Sequence, residues 1–193
     1  SSFKINNEEL PPYLPTFLTV GFVGKRILSA NQELLLKVSL SKILTQLQGD
    51  SSLYSRKIVG LSSLALGADT IFAQVCDEYS YLQQIYLPEP PENFFNESDF
   101  NNSIELIAQS RALLDRPHVI ETRITGTVEN HKERYTETGF AIVDDCDLLI
   151  VACTKSSADM AMSELSDDHS DYVNLKRGGS ADTLRYAYSI GRP

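Results

Sequence analysis

Lys176-Arg177-Gly178-Gly179-Ser180-Ala181-Asp182-Thr183 is the stretch on which the reading of this chain turns. Two glycines precede small hydroxyl and acidic residues, and Leu184, Ala187 and Ile190 then follow at helical spacing. That pattern describes a glycine-lined loop opening a helix whose first turn leaves backbone N–H groups unpaired. Such groups, with the positive end of the helix dipole, bind phosphate, and glycine lets an anion approach the backbone closely. An ordinary loop-to-helix junction, with glycine as mere punctuation, fits the same residues. The phosphate reading gains because three other strand ends carry matching features.

Working outward, residues 1–15 form an extended N-terminal arm ending in Pro11-Pro12-Tyr13-Leu14-Pro15. Thr16 to Val23 is a short β-rich apolar run that ends in Gly24-Lys25-Arg26 and suits a strand buried on both faces. A helix is expected from Asn31 to Leu47, with Leu34, Leu35, Val38, Ile43, Leu44 and Leu47 as its apolar face. A strand from Lys57 to Leu61 leads into Ser62-Ser63-Leu64-Ala65-Leu66-Gly67-Ala68-Asp69 and a helix from Ala68 to Glu78. A third strand, Gln83 to Leu87, stops at Pro88, where proline prevents continuation.

Phe94 to Phe100 reads as an aromatic, acidic loop, and Asn102 to Leu114 as an amphipathic helix. Val119 to Ile124 is a fourth strand, and Lys132 to Asp144 a helix carrying Arg134 and Tyr135. Leu148 to Cys153 is the most apolar strand in the chain and is expected to be buried. The polar tract between Thr154 and Arg177 has no steady period and reads as a mobile loop or lid. Its acids Asp159, Glu164, Asp167, Asp168 and Asp171 are set against Lys176 and Arg177. The closing helix runs from Ser180 to Ser189.

Strands alternating with helices imply right-handed crossovers and an α/β, Rossmann-like, doubly wound and mainly parallel sheet with helices on both faces. Ligands of such sheets bind beyond the carboxyl ends of the strands, at the topological switch point. Gly24-Lys25, Ser62-Ser63, Leu87-Pro88 and Thr154-Lys155 are such ends.

Composition narrows the function classes. With 193 residues, 42% hydrophobic and 22% charged, the chain reads as one soluble globular domain. No apolar run approaches bilayer length and residues 1–6 lack an export signal, so a cytoplasmic protein with no membrane partner is expected. Cys76, Cys146 and Cys153 are odd in number and unclustered, as reduced structural thiols would be. A net charge of −9 argues against a general nucleic-acid binder, though a few local cations suffice for a small anion.

These pieces together resemble the SLOG superfamily of Rossmann-like domains, which includes the DprA and LOG proteins. Thr19-Val20-Gly21-Phe22-Val23-Gly24-Lys25-Arg26 resembles its first strand and loop, where relatives often have Gly-His-Arg. Gly60 to Asp69 resembles "SGLAxGAD", and Leu87-Pro88 with Asp99-Phe100 resembles "LP…DF". Asp144 to Ala152, with Gly178-Gly179-Ser180-Ala181-Asp182-Thr183, resembles "sDxLIAvw…GGTAD". The match covers most of the chain after residue 16, and residues 16–193 are expected to form a SLOG-like nucleotide-binding domain. Relatives continue with one more buried strand, so that final strand is expected to be missing here. The resemblance implies a module that binds or senses a nucleotide or a cyclic or ADP-ribose-type signal, as several members are thought to do in antiviral defence. A second copy or a fused effector domain would be its protein partner.

LOG enzymes cleave nucleoside monophosphates with a pattern resembling GGxGTxxE, but Arg185 stands where the catalytic Glu would be. A nucleotide N-glycosidase or phosphoribohydrolase is therefore the alternative, as is an interaction domain with a vestigial pocket. No catalytic or metal-binding set is assigned, since His118, His131 and His169 are scattered.

The candidate ligand contacts are Gly21, Gly24, Lys25 and Arg26 at the first strand, with Ser62, Ser63, Leu64, Gly67 and Asp69 at the second. Pro88, Lys155, Gly178, Gly179, Ser180, Asp182 and Thr183 complete them. Lys25 and Arg26 meet phosphate charge or form a solvated pair. Ser62 and Ser63 donate hydroxyls or merely cap a helix. Gly67 allows helix to pack on strand, Asp69 reads as a dipole-stabilising carboxylate, and Asp182 could accept from a ribose hydroxyl. Arg134 and Tyr135 read first as surface residues, with stacking on a base as the alternative.

Overall fold

The β-rich run that starts at Thr16 forms an inner strand of a parallel sheet in the computed structural model of the chain. The structure describes residues 4–5, 8–9, 16–52, 56–96, 98–159 and 179–193. Lys4–Ile5 (β1) and Glu8–Glu9 (β2) make a small antiparallel pair, with Lys4 opposite Glu9.

The main sheet has five strands: Thr16–Gly24 (β3), Arg56–Ser62 (β4), Leu82–Leu87 (β5), Val119–Ile124 (β6) and Leu148–Ala152 (β7). Their order is β6-β5-β4-β3-β7, and every neighbouring pair is parallel. The chain steps outward from β3 to β6, then returns to place β7 on the free side of β3. That reversal puts the switch point between Gly24 and its register partner Ala152.

Alternation along β3 feeds two cores. Val20 and Phe22 point to Ala30–Ser52 (α1) and Ala68–Glu78 (α2), where Phe22 stacks on Phe72 at 4.7 Å. Val23 packs with Leu61, Tyr86 and Ile142 beneath His131–Asp145 (α5) on the other face. Gly21 lies on that second face, where an added Cβ would sit 2.8 Å from Cys146 Cβ. Helices cover both faces, as a doubly wound sheet requires. Ser180–Ser189 (α6) packs beside α5, with Phe140 and Tyr186 ring to ring at 4.4 Å.

Several details differ from the sequence reading. On α1 the inward stripe is Leu36, Leu40, Leu44 and Leu47, whereas Leu34, Leu35, Val38 and Ile43 are exposed. The residues from Phe94 to Phe100 are not simply a surface loop. Pro91–Phe94 (α3) begins a turn that drives Phe94, Phe95 and Phe100 into a third core with Leu64, Ile85 and Leu87. Burying each of those rings contributes roughly 1.5–3 kcal/mol. Ser103 caps Ile104–Leu114 (α4) by accepting from Leu106 N–H, which trims that helix by two residues from the expected Asn102.

β7 is an edge strand of the sheet, and all five of its residues are half-buried despite being the most apolar run. Residues 155–159 are helical, and most of the tract expected as a lid lies outside the described residues. The three cysteines are free thiols, with Cys76 and Cys146 buried. No described helix is long and apolar enough to cross a membrane.

Candidate functional site

A cavity of about 480 Å³ opens at the carboxyl end of β3, beside the switch point. Its size falls in the range of small-molecule sites. Three chain segments build it: the strand ends with the start of α2, the inner stripe of α5, and the start of α6.

The first wall is held by backbone contacts that only glycine permits. A Cβ on Gly24 would lie 2.4 Å from Ala68 Cβ, so only glycine lets β3 come this close to α2. Lys25 N–H donates to Ala152 O at 3.2 Å and Lys25 O accepts from Ala68 N–H at 3.0 Å, clamping the loop between β7 and α2. Gly67 adopts φ 94°, and a Cβ there would lie 2.2 Å from Arg26 O. It thus serves close approach to the Gly24–Arg26 loop rather than helix-on-strand packing. Leu64 is fully buried yet has φ 61°, a left-handed backbone uncommon for a bulky residue. That strained turn sets Ser63 in the wall beside Asp69.

Asp69 is 7% exposed. Burial pushes its carboxyl up to about 7, against the opposing pull of the Gly24 amide, the Arg26 guanidinium and the Ala65 amide.

The second wall comes from α5. His131, Lys132, Tyr135, Thr138, Gly139 and Ile142 recur at helical spacing along the cavity. His131 places Nδ1 2.8 Å from Glu89 Oε1 and Nε2 3.4 Å from Asp99 Oδ2. Tyr135 donates its hydroxyl to Asp99 at 3.1 Å, and the Arg26 guanidinium lies 4.4 Å over its ring. Burial, then the Asp99 charge, pushes the Tyr135 phenol well above its usual range. Tyr135 is therefore a half-buried wall residue, not a surface one. Arg134 turns to Glu89 at 2.9 Å and to Val128 O at 2.5 Å.

The third wall is the start of α6. Gly179 adopts φ 96° and supplies no side-chain cap, and Thr183 N–H reaches Gly179 O only at 3.4 Å. Among the described residues the Ser180 and Ala181 amides meet no acceptor. Thr183 lines the cavity while fitting against Gly139, where a Cβ would come within 2.6 Å of its Oγ1.

Of the residues singled out in the sequence, Gly24, Lys25, Arg26, Ser63, Asp69, Gly179, Ser180 and Thr183 meet in this cavity. The others do not line it. Gly21, Ser62 and Leu64 are buried in the sheet and its turn, and Gly67 supports the loop from behind. Pro88 is buried with its carbonyl against Gly126, and Lys155 is exposed and paired with Asp159 at 2.6 Å. Asp182 is ion-paired with Arg185 on α6 and does not line the cavity, and Gly178 lies outside the described residues.

Asp99, His131 and Lys132 also line the cavity but were not among the sequence candidates, and Tyr135 entered only as an alternative. The signal for His131 and Tyr135 was the stripe at i, i+4, i+7, i+8 and i+11 on α5, polar at its start and apolar at its end. Among the described residues, no group of three or more His, Cys, Asp or Glu is arranged to hold a metal ion.

No protein-family model matches the chain, and no curated protein matches it significantly. Among solved structures, DNA processing protein A (DprA) from Streptococcus pneumoniae is similar, with 19% identity and a TM-score of 0.54. That comparison covers 91% of this chain and 48% of the other, so the chain spans about half the length of that protein. A second DNA processing protein A, from Helicobacter pylori and described with a single-stranded DNA binding mode, aligns at 14% identity and a TM-score of 0.43. There the alignment covers 91% of this chain and 73% of that one. With its five-stranded parallel sheet and helices on both faces, the chain has a Rossmann-like fold similar to that of the Streptococcus pneumoniae protein.

Proposed function

We propose that the chain is a binding module for a nucleotide or nucleotide-derived ligand whose phosphate sits at the start of α6. The observation that carries this reading is the uncapped, glycine-led helix start opening into a cavity that also holds Lys25, Arg26 and Lys132. Lys25 and Lys132 are exposed and have no ion-pair partner among the described residues. Opposed cations and free helix amides suit a compact anion. Arg26 and Tyr135 add a stacked surface on which a base can lie. The resemblance to SLOG domains extends the proposal to a cyclic or ADP-ribose-type signal sensed in a defence system, with an effector domain or a second copy as the responder.

Catalysis of the LOG type is not part of the proposal, because Arg185 is tied to Asp182 outside the cavity wall. The test is thermal stabilisation by a panel of nucleoside phosphates, ADP-ribose and cyclic nucleotides, with an oligodeoxythymidylate strand beside them. A ligand that binds only the native state raises its melting temperature. Stabilisation by a small nucleotide, without release of free base, is the expected result. Stabilisation by the DNA strand alone, or release of base from a nucleoside monophosphate, overturns it.

A further inference from the structure

Among the described residues, two buried oxygens in the cavity wall have no hydrogen-bond partner: Ser63 Oγ and Asp69 Oδ1. The residues are 6% and 7% exposed, and neither atom has surface open to water in the empty cavity. Unsatisfied buried polar atoms are rare in folded proteins because each forfeits its hydration, so a pair of them in one cavity calls for a function. Ser62 Oγ is also unpaired, but Ser62 is not part of the wall.

The chemistry of the pair limits what relieves it. A carboxylate oxygen accepts and repels phosphate, while a serine hydroxyl both donates and accepts. The pair therefore suits uncharged hydroxyl groups, and phosphate is left to the α6 amides and the lysines of the same cavity. The turn that carries Ser63 is held by the left-handed Leu64, and Asp69 is fixed in the first turn of α2. The subsite is thus built on rigid backbone.

We infer that Ser63 and Asp69 form a sugar-hydroxyl subsite, which takes the vicinal diol of a ribose and so selects ribonucleotides over deoxyribonucleotides. One hydroxyl donates to Asp69 Oδ1, and its neighbour exchanges a hydrogen bond with Ser63 Oγ as both side chains turn to the ligand. This inference rests on the proposed nucleotide reading of the cavity and adds the class of sugar. It also reassigns the ribose contact from Asp182 to Asp69.

The test compares ribose 5-phosphate, 2-deoxyribose 5-phosphate and inorganic phosphate by ligand-observed NMR titration, which needs no knowledge of the base. Titrated above pH 7, where Asp69 is ionised, ribose 5-phosphate is expected to bind about tenfold or more tightly than its 2-deoxy analogue, the worth of one hydrogen bond to a charged group. Asp69→Asn and Ser63→Ala are expected to bring that ratio toward one while phosphate still binds. Ser63→Ala keeps the helix start intact should Asp69→Asn fail to fold. Equal binding of the two sugar phosphates by the unaltered chain overturns the sugar subsite and leaves the phosphate reading standing. Selectivity that survives both substitutions overturns the assignment to these residues. Failure of all three probes to bind removes the phosphate cradle, and the inference with it.

Discussion

Two helix starts in this chain have nearly the same sequence and opposite surroundings. Gly67-Ala68-Asp69 opens α2 and Gly179-Ser180-Ala181-Asp182 opens α6. Both glycines have positive φ, 94° and 96°, and neither helix has a side-chain cap. At α2 the backbone is consumed: Ala68 N–H is given to Lys25 O, and Gly67 rests on Arg26 O. At α6 the Ser180 and Ala181 amides meet no acceptor among the described residues, and a Cβ on Gly179 would meet nothing within 4 Å. The carboxylates differ as well, since Asp69 lines the cavity and Asp182 is paired with Arg185. A glycine-led helix start is an anion site only where no neighbouring loop takes its amides. In the proposed reading, one start builds the site and the other is left to use it.

Substitution at the two glycines separates these roles most sharply. Gly67→Val combines left-handed strain with a Cβ placed against the Arg26 carbonyl. It is expected to cost about 4 kcal/mol or more, enough to unfold much of a marginally stable domain, as urea denaturation will show. A loss below about 1 kcal/mol would mean that the Gly24–Arg26 loop is not clamped there.

Asp69 gives the next largest effect, and it depends on pH. Its folded carboxyl is raised from 3.8 to about 7, so the folded state holds the proton more tightly than the unfolded state. Its contribution to stability is therefore full below pH 3.8, falls as pH rises toward 7, and is flat above that. The fall is on the order of 4 kcal/mol. Asp69→Asn removes the titration. The stability of this variant relative to the unaltered chain is thus expected to rise across that interval in paired thermal melts. Parallel pH profiles for the two chains contradict a buried, proton-holding Asp69.

The smallest effect belongs to Gly179→Ala, which meets strain without a clash. A cost of about 1 kcal/mol is expected in the same denaturation assay, the price of a left-handed alanine. A loss as large as that at Gly67 would mean that the start of α6 is covered.

Much of the fold was legible because its signals are local. The runs read from Thr16, Lys57 and Val119 are rich in apolar or β-branched residues, and each is bounded by a turn or a charged end. The two glycine-led helix starts were equally visible. The inward face of α1 was not, because Leu34, Leu35 and Val38 share helical spacing with the true core stripe of Leu36, Leu40 and Leu44. Periodicity marks a helix, but with apolar residues on both sides it does not choose the buried one. Tyr135 was misjudged for a different reason. It stands at no strand end, and only tertiary packing brings α5 over the mouth of the sheet next to Asp99 and Arg26. Likewise, Asp182 was read as a possible ribose contact and Asp69 as a dipole-stabilising carboxylate, and nothing in the local pattern showed that Arg185, three residues on, pairs with Asp182.

The most direct measurement of the central claim is an amide NMR titration with a nucleoside monophosphate, followed at both helix starts at once. The account predicts saturable shifts at Ser180 and Ala181, where the amides meet no acceptor, and at Lys25 nearby. Ala68, whose amide is already given to Lys25 O at 3.0 Å, should keep its hydrogen bond and move far less. Shifts centred on Ala68 with Ser180 and Ala181 unmoved, or no saturable shift at either start, would contradict the account.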